Sequence, residues 1–381
     1  MRESHDVGRA RRVRGRTKGV LLTLVTTAAA VLSPVLAEAA GSQEAAGDPQ
    51  GERYFEAVFD QMTSTTDIVY GSGEFSSGET RDLHLDLYEP TGDTAEKRPV
   101  IVLLHGGFFS IGNHKDDNYG AGPDTAKTFT DLGYVVAAVE YRQRVMDLVP
   151  PSIAPPELLA EYEEAGFDAG EDLNAAIGWM RDNAADYRID PDATVPYGFS
   201  AGGIMAWSLA WMPGSGRDAP RVPAAVSVAG YPYVETIAGE TVAAPSAGDA
   251  PVLDYHGTDD GIVSYADAAE PCARAVSVGV RCELVTYEGV GHPLNASDTD
   301  FVPRYLADAH LALEFIGEEV LVPLGYIDEV PSFDPPPPPP IPAPSPNPDP
   351  SPPIDPAGGG TSGPPAARPA SPIPGDPDYT G

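Results

Sequence analysis

Basic residues are scarce in this 381-residue chain: 23 Lys plus Arg stand against 57 Asp plus Glu, a formal net charge of −34. A surface of that sign repels phosphate backbones and anionic lipid, which argues against a nucleic-acid binder or a peripheral membrane protein. There is no HExxH, P-loop or dinucleotide-binding motif, so neither a metal nor an organic cofactor is expected. Cysteine is nearly missing too, with only Cys272 and Cys282. Long apolar runs are short of the roughly 20 residues that a membrane span needs. The best of them, Gly19 to Leu36, is broken by Pro34 and followed by Glu38.

That run follows the basic stretch Arg9 to Lys18 and precedes Ala37-Glu38-Ala39, a small-x-small pattern. The three parts read as a secretory signal peptide over 1–39, with a membrane anchor as the alternative. Export to an oxidising compartment favours a disulfide between Cys272 and Cys282 over two buried thiols. The spacing suits it, because a helix over Tyr265 to Val278 and a strand over Cys282 to Tyr287 would run back beside each other.

Proline is unevenly spread: 21 of the 42 prolines fall in the 51 residues from Pro331 to Gly381. Such a segment cannot build a core, so 329–381 is expected to be a disordered or extended polyproline spacer. Residues 40–66 read as a lead-in, and one globular domain is left over 67–328.

Within that domain strands and helices alternate. Leu83, Leu85 and Leu87 alternate with polar residues, and Val100 to Leu104, Tyr134 to Val139, Ala224 to Val228 and Val252 to Tyr255 are short apolar runs. Helical stretches separate them over Thr125 to Leu132, Gly170 to Tyr187, Ala201 to Trp211, Tyr265 to Val278 and Thr299 to Ile316. The pattern predicts an α/β fold, a mainly parallel central sheet flanked by helices. Ligands of such sheets bind at the carboxyl ends of the strands.

Reactive residues stand at those ends. Gly198-Phe199-Ser200-Ala201-Gly202 follows the run Thr194 to Tyr197 and opens a helix, the context of a nucleophile elbow rather than of an ordinary glycine turn. A serine nucleophile needs a base later in the chain. His84, His105, His114 and His256 come too early, and His310 reads as a helix-surface residue, which leaves His292 in the loop after the last strand. For the acid, Asp259 and Asp260 lie side by side beyond the end of a strand, with an Asp-rich turn as the bland reading, while Asp254 sits inside the strand. His105-Gly106-Gly107-Phe108 ends an earlier strand and offers backbone N–H groups able to hold an oxyanion.

Together with Gly133 to Tyr141-Arg142, Ala175 to Arg181, Ile189-Asp190-Pro191, His256 to Asp260 and Gly291-His292, these segments resemble the carboxylesterase branch of the α/β-hydrolase superfamily. They are similar to its hormone-sensitive-lipase-like and feruloyl-esterase-like secreted esterases. The resemblance covers roughly Asp67 to Gly317. It implies Ser200 as nucleophile, Asp260 as acid, His292 as base, and the amides of Gly107, Phe108 and Ala201 as the oxyanion hole. It also implies hydrolysis of short-acyl or aryl esters, small or polysaccharide-linked, by a secreted or wall-associated serine esterase without cofactors. A peptidase of the same fold and a non-catalytic binding module are the alternatives.

Two residues depart from the family pattern. Phe108 stands where a glycine or alanine is usual and is expected to border the acyl site. Pro196 interrupts a central strand and is expected to mark a local bulge. The insert Gln143 to Phe167, with Pro150, Pro151, Pro155 and Pro156, is expected to overhang the site.

Overall fold

Valine, isoleucine and alanine runs too apolar to tolerate water on either face build the centre of the molecule. A computed structural model describes residues 53–333 except 145, 147, 148, 150–153, 212–220, 233, 234, 238, 239, 243, 244 and 294–300. The expected leader and the first part of the lead-in, together 1–52, and the chain from 334 onward lie outside the described residues.

Eight strands form one sheet: β1 (Met62–Glu74), β2 (Thr80–Pro90), β3 (Arg98–Leu104), β4 (Val135–Val139), β5 (Ile189–Phe199), β6 (Ala225–Val228), β9 (Val252–Gly257) and β10 (Cys282–Tyr287). Between β6 and β9 the short strands β7 (Glu235–Ile237) and β8 (Glu240–Val242) pair as a separate ribbon. In the large sheet the order is β1-β2-β4-β3-β5-β6-β9-β10; β2 is antiparallel to β1 and β4, and the remaining pairs are parallel. The chain leaves β3 for β4 on one side and then returns to β5 on the other. This reversal opens a crevice at the carboxyl ends of β3 and β5, where ligands of such sheets bind.

Alternate residues of each strand feed two cores. Val100, Val102 and Leu104 of β3 join α2 (Pro156–Asp182), α3 (Ala201–Trp211) and α4 (Tyr265–Ser277) on one face. Ile101 and Leu103 join α1 (Pro123–Asp131), α5 (Phe301–Asp308) and α6 (His310–Ile316) on the other. The Cys272–Cys282 disulfide, present here with both residues buried, ties α4 to β10.

The structure departs from several expectations. β1 is a Ser- and Thr-rich, mostly exposed edge strand, and its register shifts between Thr65 and Ile68 and between Val69 and Gly71 blur the period-two pattern. It begins inside the supposed lead-in. Earlier still, Tyr54 and Phe55 are buried and Arg53 donates to the Asp93 carboxylate, so packing begins by residue 53. At the other end Val330 and Phe333 pack on the core, with the Phe333 ring 5.9 Å from that of Phe55. Packed chain thus reaches at least five residues into the segment counted as spacer.

α2 starts 14 residues before the expected Gly170. Its opening proline, Pro156, sits at a first-turn position that needs no N–H, and Leu158 and Tyr162 pack into the core. The second half of the insert is therefore helix, and residues 145, 147, 148 and 150–153 of its first half lie outside the described residues. The helix expected over Thr299 to Ile316 is two helices, broken at Ala309. Pro196 causes no bulge. The β3–β5 register runs unbroken through Val102 and Pro196, its one shift lying between Arg98 and Val100, and β6 joins β5 only at Tyr197.

Candidate active site

β5 ends at Phe199, and the chain turns sharply into α3 at Ser200, which holds the left-handed φ of 54° that a serine adopts only when its surroundings impose it. The turn is pinned: the Ser200 amide donates to the Val228 carbonyl of β6, and the Ser200 carbonyl accepts from Ile204. Gly202 must be glycine, because a Cβ there would lie 2.0 Å from the Leu104 carbonyl oxygen at the end of β3. That close approach sets Ser200 beside the loop that follows β3.

In that loop Gly107 has φ 116°, and Phe108 and Phe109 are both left-handed, at 58° and 54°. The amides of Gly107, Phe108 and Ala201 donate to no described acceptor. Phe108 is half-buried and packs against both cores, so its ring is anchored. Several braces hold the loop. The His105 ring stacks on Tyr141 at 4.1 Å and its Nδ1 lies 2.7 Å from the Gly106 carbonyl oxygen, while Tyr141 donates to the His105 carbonyl at 2.5 Å. Burial pushes His105 down to about 4, which keeps it neutral and lets Nδ1–H donate to that carbonyl. From the insert, Gln143 Nε2 donates to the carbonyls of Ile111 and Gly112, and the Arg144 amide donates to that of Phe109.

His292 stands in the loop after β10 and is buried. Its Nε2 lies 3.1 Å from Ser200 Oγ and its Nδ1 2.6 Å from Asp260 Oδ2. Asp260 is 8 % exposed, whereas Asp259 is exposed. The second oxygen of Asp260 accepts the Ile262 and Val263 amides, both at 2.8 Å. Burial alone would raise this carboxyl. The His292 ring, the Val263 amide and the nearby His256 outweigh it and hold the group below the usual carboxylate range.

The structure thus brings Ser200, His292 and Asp260 together in that order and leaves Asp259 and Asp254 out of contact with His292. Among the described residues no group of three or more His, Cys, Asp or Glu side chains could hold a metal ion. The sequence reading missed the braces from Tyr141 and Gln143 and the buried pair Asp254–His256. The Tyr141-Arg142 and His256 to Asp260 segments could have flagged Tyr141 and His256; Gln143 and Asp254 carry no motif of their own.

Residues 85–155 and 160–219 match the BD-FAE family model. Among curated proteins the chain is similar to Carboxylesterase 3B of Mus musculus, 30% identical over 33% of this chain and 20% of that protein. It is likewise similar to Para-nitrobenzyl esterase of Bacillus subtilis, 30% identical over 34% of this chain and 24% of that protein. The chain spans no more than about a quarter of these relatives' length. Among solved structures it is similar to the propionate-bound esterase Est2 of Thermogutta terrifontis, with a TM-score of 0.52 and 24% identity over 69% of this chain and 95% of that one. The butyrate-bound form of that esterase gives 0.51 at 22% identity, covering 69% and 95%.

Proposed function

We propose that this chain, an α/β-hydrolase, is a serine carboxylesterase that works through an acyl-enzyme on Ser200. The observation that carries the reading is the unbroken line from Asp260 through His292 to Ser200 Oγ at 2.6 and 3.1 Å, beside three amides that donate to no described acceptor. The esterase names of the relatives on both sides of the comparison support it.

In this mechanism His292 Nε2 takes the Ser200 proton as Oγ attacks the ester carbonyl, and the amides of Gly107, Phe108 and Ala201 receive the developing oxyanion. Donors fixed in a dry site cost no reorganisation as the charge forms. His292 then protonates the leaving alkoxide, and water, deprotonated by the same imidazole, releases the acid. Asp260, held ionised, fixes the tautomer with the proton on Nδ1 and stabilises the imidazolium without taking that proton.

Short acyl or aryl esters are the proposed substrates, small or attached to a polysaccharide, and export through the 1–39 leader is the proposed route. A panel of soluble chromogenic esters of rising acyl length, with feruloyl and acetylated-sugar esters and aminoacyl amides beside it, tests this. Short esters are expected to turn over fastest and amides negligibly. Turnover of amides over esters would make the chain a peptidase, and no turnover of either would make it a binding module.

A further inference from the structure

Asp260 faces a second imidazole besides that of His292. Asp254 and His256, two residues apart on β9, share a face of the strand, and both are fully buried. His256 Nδ1 lies 2.8 Å from Asp254 Oδ2. On the other side of the ring, Nε2 lies 3.0 Å from the Val263 carbonyl oxygen and 3.6 Å from Asp260 Oδ2. A carboxylate and a peptide carbonyl only accept, so both ring nitrogens donate, and an imidazole with two N–H donors is an imidazolium. The other oxygen of Asp254, Oδ1, accepts from the Gly230 amide at 3.3 Å.

We propose that His256 is a positioning residue for the hydrolysis: an imidazolium, held by Asp254 and the Val263 carbonyl, that keeps Asp260 ionised and aimed at His292. The inference rests on the reading of Asp260 as the triad acid. Val263 links the two layers, since its carbonyl accepts from His256 while its amide donates to Asp260 Oδ1. The groups facing His256 are Asp254 on its own strand, Asp260 in the loop that follows, and the Tyr265 ring, edge-on at 5.7 Å from the start of α4. Burial disfavours the charged ring, yet Asp254 outweighs it and lifts His256 to about 9, so the charge persists at neutral pH. A buried carboxyl stripped of this neighbour would take up a proton more readily, and a protonated Asp260 no longer offers His292 an anionic acceptor.

The test uses the full chain labelled with ¹⁵N-histidine and ¹³C-aspartate, together with the double variant Asp254→Asn/His256→Gln, which removes both charges of the pair and leaves no lone buried ion. In the parent, both His256 nitrogens are expected to be protonated at pH 7.5 and to lose a proton near pH 9. In the double variant the Asp260 carboxyl midpoint and the acid limb of kcat/KM on a soluble aryl ester are both expected to rise, by roughly one pH unit. A His256 ring carrying one proton at pH 7.5 overturns the proposal, and this measurement needs no variant to fold. A folded double variant in which neither the Asp260 midpoint nor the acid limb moves overturns it as well. A parent that shows the imidazolium and the Asp260 shift but hydrolyses no ester upholds the positioning role and sinks the esterase reading instead.

Discussion

His292 Nδ1 meets Asp260 Oδ2 at 2.6 Å, while Asp259, one residue earlier in the same turn, points into solvent. Successive residues beyond a strand end diverge, so only one of two adjacent carboxylates can reach the ring. Asp260→Asn is therefore expected to lower turnover by a factor on the order of 10⁴, the size associated with losing the orienting acid of a serine triad. Asp259→Asn is expected to change stability by less than about 1 kcal/mol and turnover little. Initial rates of the two purified variants on one aryl ester at neutral pH rank them, and the reverse ranking would move the acid to Asp259.

Ser200→Ala should remain folded, since the site is held by backbone contacts of Ser200 and not by its hydroxyl. It should hydrolyse a short aryl ester at least about 10³-fold more slowly than the parent, because nucleophile and base act as a unit. A loss of only a few-fold in a folded variant would move the nucleophile elsewhere.

The disulfide closes a short loop, Cys272 and Cys282 being ten residues apart, and its removal in Cys272→Ser/Cys282→Ser is expected to cost about 2 to 3 kcal/mol. The bond lies between α4 and β10, away from the Ser200 line, so kcat at 25 °C should hold while the urea midpoint falls. A fall in kcat with an unchanged midpoint would tie the bond to the site.

Stability should also carry the mark of His256. Its folded value of about 9 exceeds the ordinary value of about 6.5, so its contribution is complete below pH 6.5 and is lost as pH rises through 9. Urea midpoints at pH 6 and pH 9.5 should show a loss on the order of 3 kcal/mol or less in the parent. Asp254→Asn/His256→Gln should show a smaller loss over the same window.

Chain ends give a further comparison. Ending the chain after Glu329 removes Val330 and Phe333 from the core, whereas ending it after Phe333 keeps both. The shorter form is expected to be less stable by roughly 1 to 3 kcal/mol, in line with the partial burial of two apolar side chains. Equal melting temperatures would show that these contacts contribute nothing.

Much of this could be read in the sequence because strand-end chemistry follows chain order. The apolar runs marked β2, β3, β4, β6 and β9, and the order Ser, then acid, then His singled out Ser200 and His292 without any structure. Choosing Asp260 over Asp259 needed the family resemblance, since adjacent residues of one type differ only in direction. β1 stayed hidden because an exposed edge strand with two register shifts has no regular apolar period. The start of α2 was obscured by four prolines that signal a loop, one of which opens the helix. Asp254 and His256 were visible one at a time, Asp254 as the poorer acid candidate and His256 as the head of the His256 to Asp260 segment, but nothing in the sequence showed that the two pair inside the strand. Tyr141 and Gln143 act through contacts with a loop some 30 residues upstream, a relation set by the parallel pairing of β3 and β4.

The most direct test of the central claim is the mass of the intact chain after exposure to a small fluorophosphonate, followed by peptide mapping of the adduct. A serine made nucleophilic by His292 should be phosphonylated once, on Ser200, and Ser200→Ala should take up no label. An unmodified parent chain, or an adduct on any other residue, would contradict the account.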